Sequence, residues 1–399
     1  MVKMMSKKRS TVSDLRGGLR LLVDSVSGMT GIVEAMHSRI TRVARPVGPV
    51  AERPTRGITG LVYRSIQGTN RLVGKGLDGA LALAEAGLQA SLREVPEDQR
   101  MPRRDALVAA LNGVMGDHLV ASGNPLAIQM QLRPQLPPAG GRVLLLIHGL
   151  CMNDLQWSRK GHDHGQALAE SLGYAAVYAR YNTGQHISIN GRDLAAQLEQ
   201  LLGSWPEPVS ELAIIGHSMG GLVARSALHQ ALEAGMAWPR VLHKLVLLGS
   251  PHHGAPLERG GNWLHRGLGV SSYAAPLTRL SGLRSAGITD LRHGNLLDGD
   301  WDDDTRFVQA DQRSSLPLPA GMACYALAGS LSPRTDRAGA HDWLGDGLVP
   351  VASALGQHAD ASRDLRIPAS HQWVARGVNH LDLLSDKGVY RRLRQWLAE

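Results

Sequence analysis

The sequence predicts an α/β protein: a mostly parallel central sheet with helices on both faces, preceded by a helical region. Three observations carry this expectation. After residue 141, short continuously apolar runs alternate with helix-like stretches, as in strands buried on both faces. One run, Leu212 to Ile215, leads into Gly216-His-Ser-Met-Gly-Gly221 and then at once into the helix-like stretch 222–228. The Pro/Gly-rich segment from Pro134 to Gly141 separates this alternation from a first part that shows helical periodicity only.

In chain order, Leu15, Leu19, Leu22, Val26, Met29, Val33, Met36 and Ile40 recur at alternating spacings of four and three, the pattern of an amphipathic helix. Gly17, Gly18, Gly28 and Gly31 each weaken that helix by about 1 kcal/mol relative to Ala. A Pro/Gly/Arg linker occupies 45–57, and helical stretches come after it at 58–92 and 104–122. Strands are expected at 143–147, 174–178, 212–215, 242–248, 322–327 and 372–375, with helices at 164–172, 190–203 and 219–234. Residues 255–320 break the alternation and are expected to form a cap or lid. The domains therefore read as 1–140, helical and basic, and 141–399, the α/β domain.

Composition narrows the function. The 399 residues, 43% hydrophobic, suffice for one large core and an additional region. Two cysteines, Cys151 and Cys324, cannot build a disulfide framework and are read as reduced thiols. No apolar run reaches the 18 or so residues of a spanning helix. Lys7-Lys8-Arg9 resembles the start of a secretory leader, but Asp14, Arg16, Arg20 and Asp24 interrupt the apolar stretch such a leader needs next, so none is expected. The net charge of +8 is concentrated: residues 1–75 hold 14 Lys/Arg against 4 Asp/Glu, a net +10. That segment suits peripheral contact with an anionic membrane or lipid surface. With Tyr63 its single aromatic and no recognised motif, nucleic-acid binding is not expected. The expected location is cytoplasmic, in part on such a surface.

The Gly216–Gly221 segment carries the chemistry. A serine between a strand and a helix, with glycine two residues away on each side, fits a sharp turn that lifts its hydroxyl above the sheet. Ser218 is therefore the candidate nucleophile. A serine hydroxyl needs a base, an orienting acid and donors for the developing oxyanion. His380, just past the final expected strand, is the candidate base; His358 and His371 precede that strand and are weaker alternatives. Asp346, between Gly345 and Gly347, is the candidate acid, with Asp336 and Asp342 nearby. The N–H of Met219 is the first oxyanion donor and that of Leu150 the second, with Cys151 the alternative. His148, His252 and His253 are read as structural.

These motifs together resemble the α/β-hydrolase superfamily, specifically its bacterial triacylglycerol lipase-like and GPI inositol-deacylase-like branches. The resemblance covers about residues 142–399 through Ile147-His-Gly-Leu150, the elbow at 216–221, Gly249-Ser-Pro-His-His-Gly254, Gly345-Asp-Gly-Leu-Val349 and Asn379-His-Leu-Asp382. It implies an α/β-hydrolase fold and a carboxylic ester hydrolase in which Ser218, Asp346 and His380 are nucleophile, acid and base. Asp382 matches one ligand position of a calcium site found in such lipases, but no second aspartate completes it, so no metal and no cofactor are expected. The substrate expected is a small-molecule or lipid ester, and Trp263, Leu264, Leu268, Val270 and Leu277 would either line an apolar acyl pocket or pack the cap itself. The alternatives are an acyltransferase using the same triad and a membrane-docking protein with a vestigial hydrolase domain. Acyl chain length, alcohol portion and oligomeric state are not legible in the sequence.

Overall fold

A computed structural model describes residues 102–135, 140–255, 285–301, 311, 313–319, 321–332 and 345–399. The expected helices at 15–40 and 58–92, and the apolar cap residues between Trp263 and Leu277, lie outside the described residues. The chain divides into two compact units, one of Met1–Arg100 with Ala121–Leu126, the other of Met101–Val120 with Ala127–Glu399. Of the first unit only a turn is described, in which Gly123 has φ +58° and the Asn124 side chain accepts the Leu126 N–H at 2.9 Å.

The second unit holds a seven-stranded sheet. Its strands are β1 (Gln131–Pro134), β2 (Arg142–Ile147), β3 (Ala175–Arg180), β4 (Glu211–His217), β5 (Leu242–Leu248), β6 (Ala323–Ser330) and β7 (Gln372–Arg376). The spatial order is β1-β3-β2-β4-β5-β6-β7. Only β1 runs antiparallel to its neighbour; the other five pairings are parallel. Along β2, Val143, Leu145 and Ile147 enter one core and Leu144 and Leu146 the other, the period-2 division of a strand buried on both sides.

Each face has its helices. Leu194 and Leu198 of α3 (Ile187–Gly203) and Leu222 and Val223 of α4 (Met219–Glu233) fill one core. Leu168 of α2 (His164–Leu172) and Leu393 and Trp396 of α7 (Lys387–Ala398) fill the other. Helix α1 (Pro102–Ala121) is kinked at Met115 and joins the sheet's unit through Val120, not the segment that precedes it. The sequence placed it, with all of 1–140, outside the α/β domain. The cause is its contacts: Asp105 pairs with Arg180 at 3.4 Å, and the Asn112 side chain accepts the Ile128 N–H at 2.8 Å. Strand β1 likewise lies in the region 1–140 that the sequence predicts to be helical. Four residues ending in Pro134 are too short to show alternation, and an edge strand tolerates the proline.

Between β5 and β6 the chain leaves the sheet. The Ala255 N–H donates to Leu291 O at 3.1 Å, so departure and return sit together, the return running through α5 (Ala286–Asp290). Helix α6 (Val351–Ala354) comes after β6. Among the described residues, no helix is long and apolar enough to cross a membrane.

Candidate active site

Ser218 stands between β4 and α4 with φ 54° and ψ −123°, a conformation that side-chain-bearing residues rarely adopt and that costs roughly 1–3 kcal/mol. Its N–H donates to Leu248 O at 2.9 Å, and its carbonyl accepts the Gly221 N–H at 3.1 Å. The flanking glycines are required sterically. A Cβ on Gly216 would lie 2.5 Å from Gly221 Cα, and one on Gly220 would lie 2.2 Å from Ile147 O. The serine is 8% exposed.

Asp346 and His380, expected separately after two different strands, meet here. His380 Nδ1 and Asp346 Oδ2 are 2.7 Å apart, and both residues are buried. The other carboxylate oxygen accepts the N–H groups of Leu348 (3.0 Å) and Val349 (2.9 Å), so the turn itself orients the acid. Gly345 has φ +53°, and a Cβ there would sit 1.7 Å from Val349 O, which is why this turn needs glycine. The His380 N–H returns to Asp346 O at 3.1 Å. His217, next to the serine, donates from Nε2 to His380 O at 3.2 Å, and the two rings lie 4.8 Å apart, bringing His380 to the elbow. Burial, reinforced by His380, holds the His217 imidazole well below its ordinary pKa, so it stays neutral. With Asp346 on Nδ1, the remaining ring nitrogen of His380 is Nε2. Among the described residues, no hydrogen bond joins it to Ser218 Oγ, a looseness ordinary in unliganded sites.

The loop after β2 runs against the serine, with a Cβ on Gly149 falling 3.0 Å from Ser218 Cβ. Met219 opens α4, where first-turn N–H groups have no intrahelical acceptor. The Leu150 N–H has no acceptor among the described residues. That of Cys151, the alternative, is engaged by Thr183 Oγ1 at 3.1 Å. Burial pushes both cysteine thiols up to about 12, so Cys151 and Cys324 stay protonated.

The other candidates fall elsewhere. His371 Nδ1 bonds Cys324 O at the entry of β7, the sheet edge opposite Ser218, and its ring stacks on Tyr325. His358 packs on His253. Asp336 and Asp342 lie outside the described residues. Asp382 pairs with Lys160 at 2.7 Å and Arg159 at 3.5 Å, cations where a calcium ligand would need a cation of its own. Among the described residues, no cluster of His, Cys, Asp or Glu could hold a metal. His252 and His253 contact Arg225 and Arg313. Burial lowers the His148 pKa to about 4; its ring bonds Gly149 O at 2.9 Å and stacks on Tyr181. The sequence reading missed Thr183, whose only signal was its place just past the strand at 174–178, on the same edge as Gly149 and Ser218.

Residues 138–321 match the family model of a PGAP1-like alpha/beta domain. The domain has the α/β-hydrolase fold. The matched segment contains Leu150, Ser218 and Met219 and ends before Asp346 and His380. No curated protein matches the sequence. Similar solved structures include the mature form of Bacillus licheniformis lipase BlEst2, at 19% identity and TM-score 0.40, covering 66% of this chain and 97% of that one. A lipase-esterase related protein from Clostridium acetobutylicum is similar at 13% identity and TM-score 0.36, covering 67% of this chain and 100% of that one. Phospholipase PlaB from Legionella pneumophila is similar at 16% identity and TM-score 0.35, covering 53% of this chain and 44% of that one.

Proposed function

We propose that the chain is a serine hydrolase that cleaves a carboxylic ester, of a small molecule or a lipid, through an acyl-enzyme on Ser218. The observation that carries this reading is the buried 2.7 Å pair of His380 and Asp346 at the edge where Ser218 is held in its strained turn. In this reading His380 Nε2 takes the Ser218 proton as Oγ attacks the ester carbonyl. Asp346 holds Nδ1–H and stabilises the imidazolium that forms. The oxyanion is received by the N–H groups of Met219 and Leu150, donors fixed before the charge develops. The imidazolium protonates the leaving alcohol, and a water deprotonated at the same nitrogen then releases the acid.

The test is ester turnover by Ser218→Ala. The expected result is a folded protein with no p-nitrophenyl ester hydrolysis and no fluorophosphonate labelling; undiminished turnover overturns the reading. Product analysis with an added alcohol distinguishes hydrolysis from acyl transfer, since transfer yields a new ester in place of the free acid.

A further inference from the structure

The oxyanion loop is held from outside by a segment that carries no catalytic group. Tyr181, Asn182, Thr183 and Gly184 come directly after β3 and run beside His148 to Cys151. The Tyr181 hydroxyl donates to His148 O at 2.7 Å, and Thr183 Oγ1 accepts the Cys151 N–H at 3.1 Å. These two bonds bracket Gly149 and Leu150. Between them, Gly149 O is fixed by the Met152 N–H at 3.3 Å and His148 Nδ1 at 2.9 Å. A trans peptide puts its N–H opposite its carbonyl, so fixing Gly149 O also fixes the direction of the Leu150 N–H.

Cys151 makes the arrangement costly to maintain, because its φ of 60° is a left-handed value that a residue with a side chain resists. Such a conformation persists only where its surroundings over-determine it. Here the thiol occupies a notch at Gly113 of α1, where a Cβ would come within 2.2 Å of Sγ. The bond from Cys151 N–H to Thr183 supplies the second constraint. Thr183 is itself fixed: the Asn182 side chain donates to Gly116 O of α1 at 3.0 Å and accepts the Gly184 N–H at 3.0 Å, and Asn190 of α3 donates to Asn182 O at 2.9 Å. Thr183 is 1% exposed, and among the described residues no hydrogen bond joins it to Ser218, Asp346 or His380.

We infer that Thr183 is a positioning residue for the oxyanion hole: by holding the Cys151 N–H it withdraws that group from the hole and leaves Leu150 as the donor that meets the substrate oxyanion. This rests on the ester-hydrolase function proposed for Ser218. Because the hole binds the transition state and not the ground-state carbonyl, losing this constraint acts on kcat.

The experiment compares wild type, Thr183→Val and Thr183→Ser for p-nitrophenyl ester turnover, inhibition by a trifluoromethyl ketone and thermal melting. Valine keeps the shape and removes the acceptor; serine keeps the acceptor. Expected for T183V is a kcat lower by about tenfold to a hundredfold with KM within about twofold, and trifluoromethyl ketone affinity weakened in parallel, since that inhibitor places an oxyanion in the hole. T183S is expected to stay within about threefold of wild type in both readouts. A T183V enzyme with lowered melting temperature but unchanged kcat and inhibitor affinity overturns the inference, as does an equal tenfold loss in T183S. Should T183V not be recovered folded, Thr183→Ala, which also removes the acceptor, takes its place on the same criterion. Wild-type protein that neither turns over esters nor labels at Ser218 overturns the underlying function as well, an outcome separate from an active wild type with an indifferent Thr183.

Discussion

Asp346 is the residue at which geometry and chemistry are most tightly joined. One carboxylate oxygen serves His380 while the other accepts two backbone N–H groups of its own turn. In Asp346→Asn the amide oxygen can keep the turn, which leaves the amide nitrogen facing His380 Nδ1. A donor there favours the proton on Nε2, the wrong tautomer for a base. The expected outcome is an unchanged melting temperature with kcat reduced by about 10³–10⁴, read by ester turnover. Gly220→Ala acts differently. Its Cβ would meet the backbone carbonyls of Ile147 and His148 at 2.2 and 2.7 Å, groups that belong to β2 and its loop and cannot swing aside. A loss of about 3 kcal/mol or more is expected in urea unfolding, together with lost labelling of Ser218. At this scale the sequence was informative where chemistry dictates residue type. The Gly-Ser-Gly spacing marked the turn, and the flanking glycines marked Asp346. It was silent about Thr183, because a threonine that accepts one backbone bond leaves no pattern along the chain.

Among the elements, the strands buried on both faces were legible as unbroken apolar runs, and their ends fall within a few residues of the expected positions. The short helices α5 and α6 and the C-terminal helix α7 were not expected from the sequence, and two further features that escaped, β1 and the membership of α1, were set by partners distant in sequence. Helix α1 has almost no amphipathic pattern to reveal a packing face, since Gly113 and Gly116 dock as notches against Cys151 and Asn182 where larger side chains would protrude. The same device joins α3 to α4. A Cβ on Gly191 would lie 2.3 Å from Ser226 Oγ, so glycine is kept there despite the roughly 1 kcal/mol it costs a helix interior. Gly191→Val should therefore destabilise the protein, by about 2–3 kcal/mol in urea unfolding, although valine is the better helix former. A neutral or stabilising result would show that the two helices can separate freely.

For the molecule as a whole, the neutral buried histidines set a limit on the acid side. Burial lowers both His148 and His164 from 6.5 to about 4. Between these values the unfolded chain binds more protons than the folded one, so unfolding free energy falls as pH drops from about 6.5 to about 4 and changes no further from these groups below that. Each is worth about 3 kcal/mol over the window. Urea midpoints at pH 7.5, 6 and 5 should decline steadily, and a flat series would contradict the assignment of neutral, buried rings. The excursion between β5 and β6 has a consequence of a different kind. Ala255 is pinned to Leu291, and Gly254 lies so close to Arg292 O that a Cβ would approach it to 2.1 Å. The path out and the path back are thus fastened to each other before either reaches the sheet, like the two legs of a staple. Insertions or deletions between 256 and 284 are therefore expected to leave strand register and the spacing of Ser218, Asp346 and His380 unchanged, read by unaltered urea unfolding. A change in the chain between Ala255 and Leu291 is then absorbed at that fastening, and the frame that holds Ser218, Asp346 and His380 does not have to yield to it.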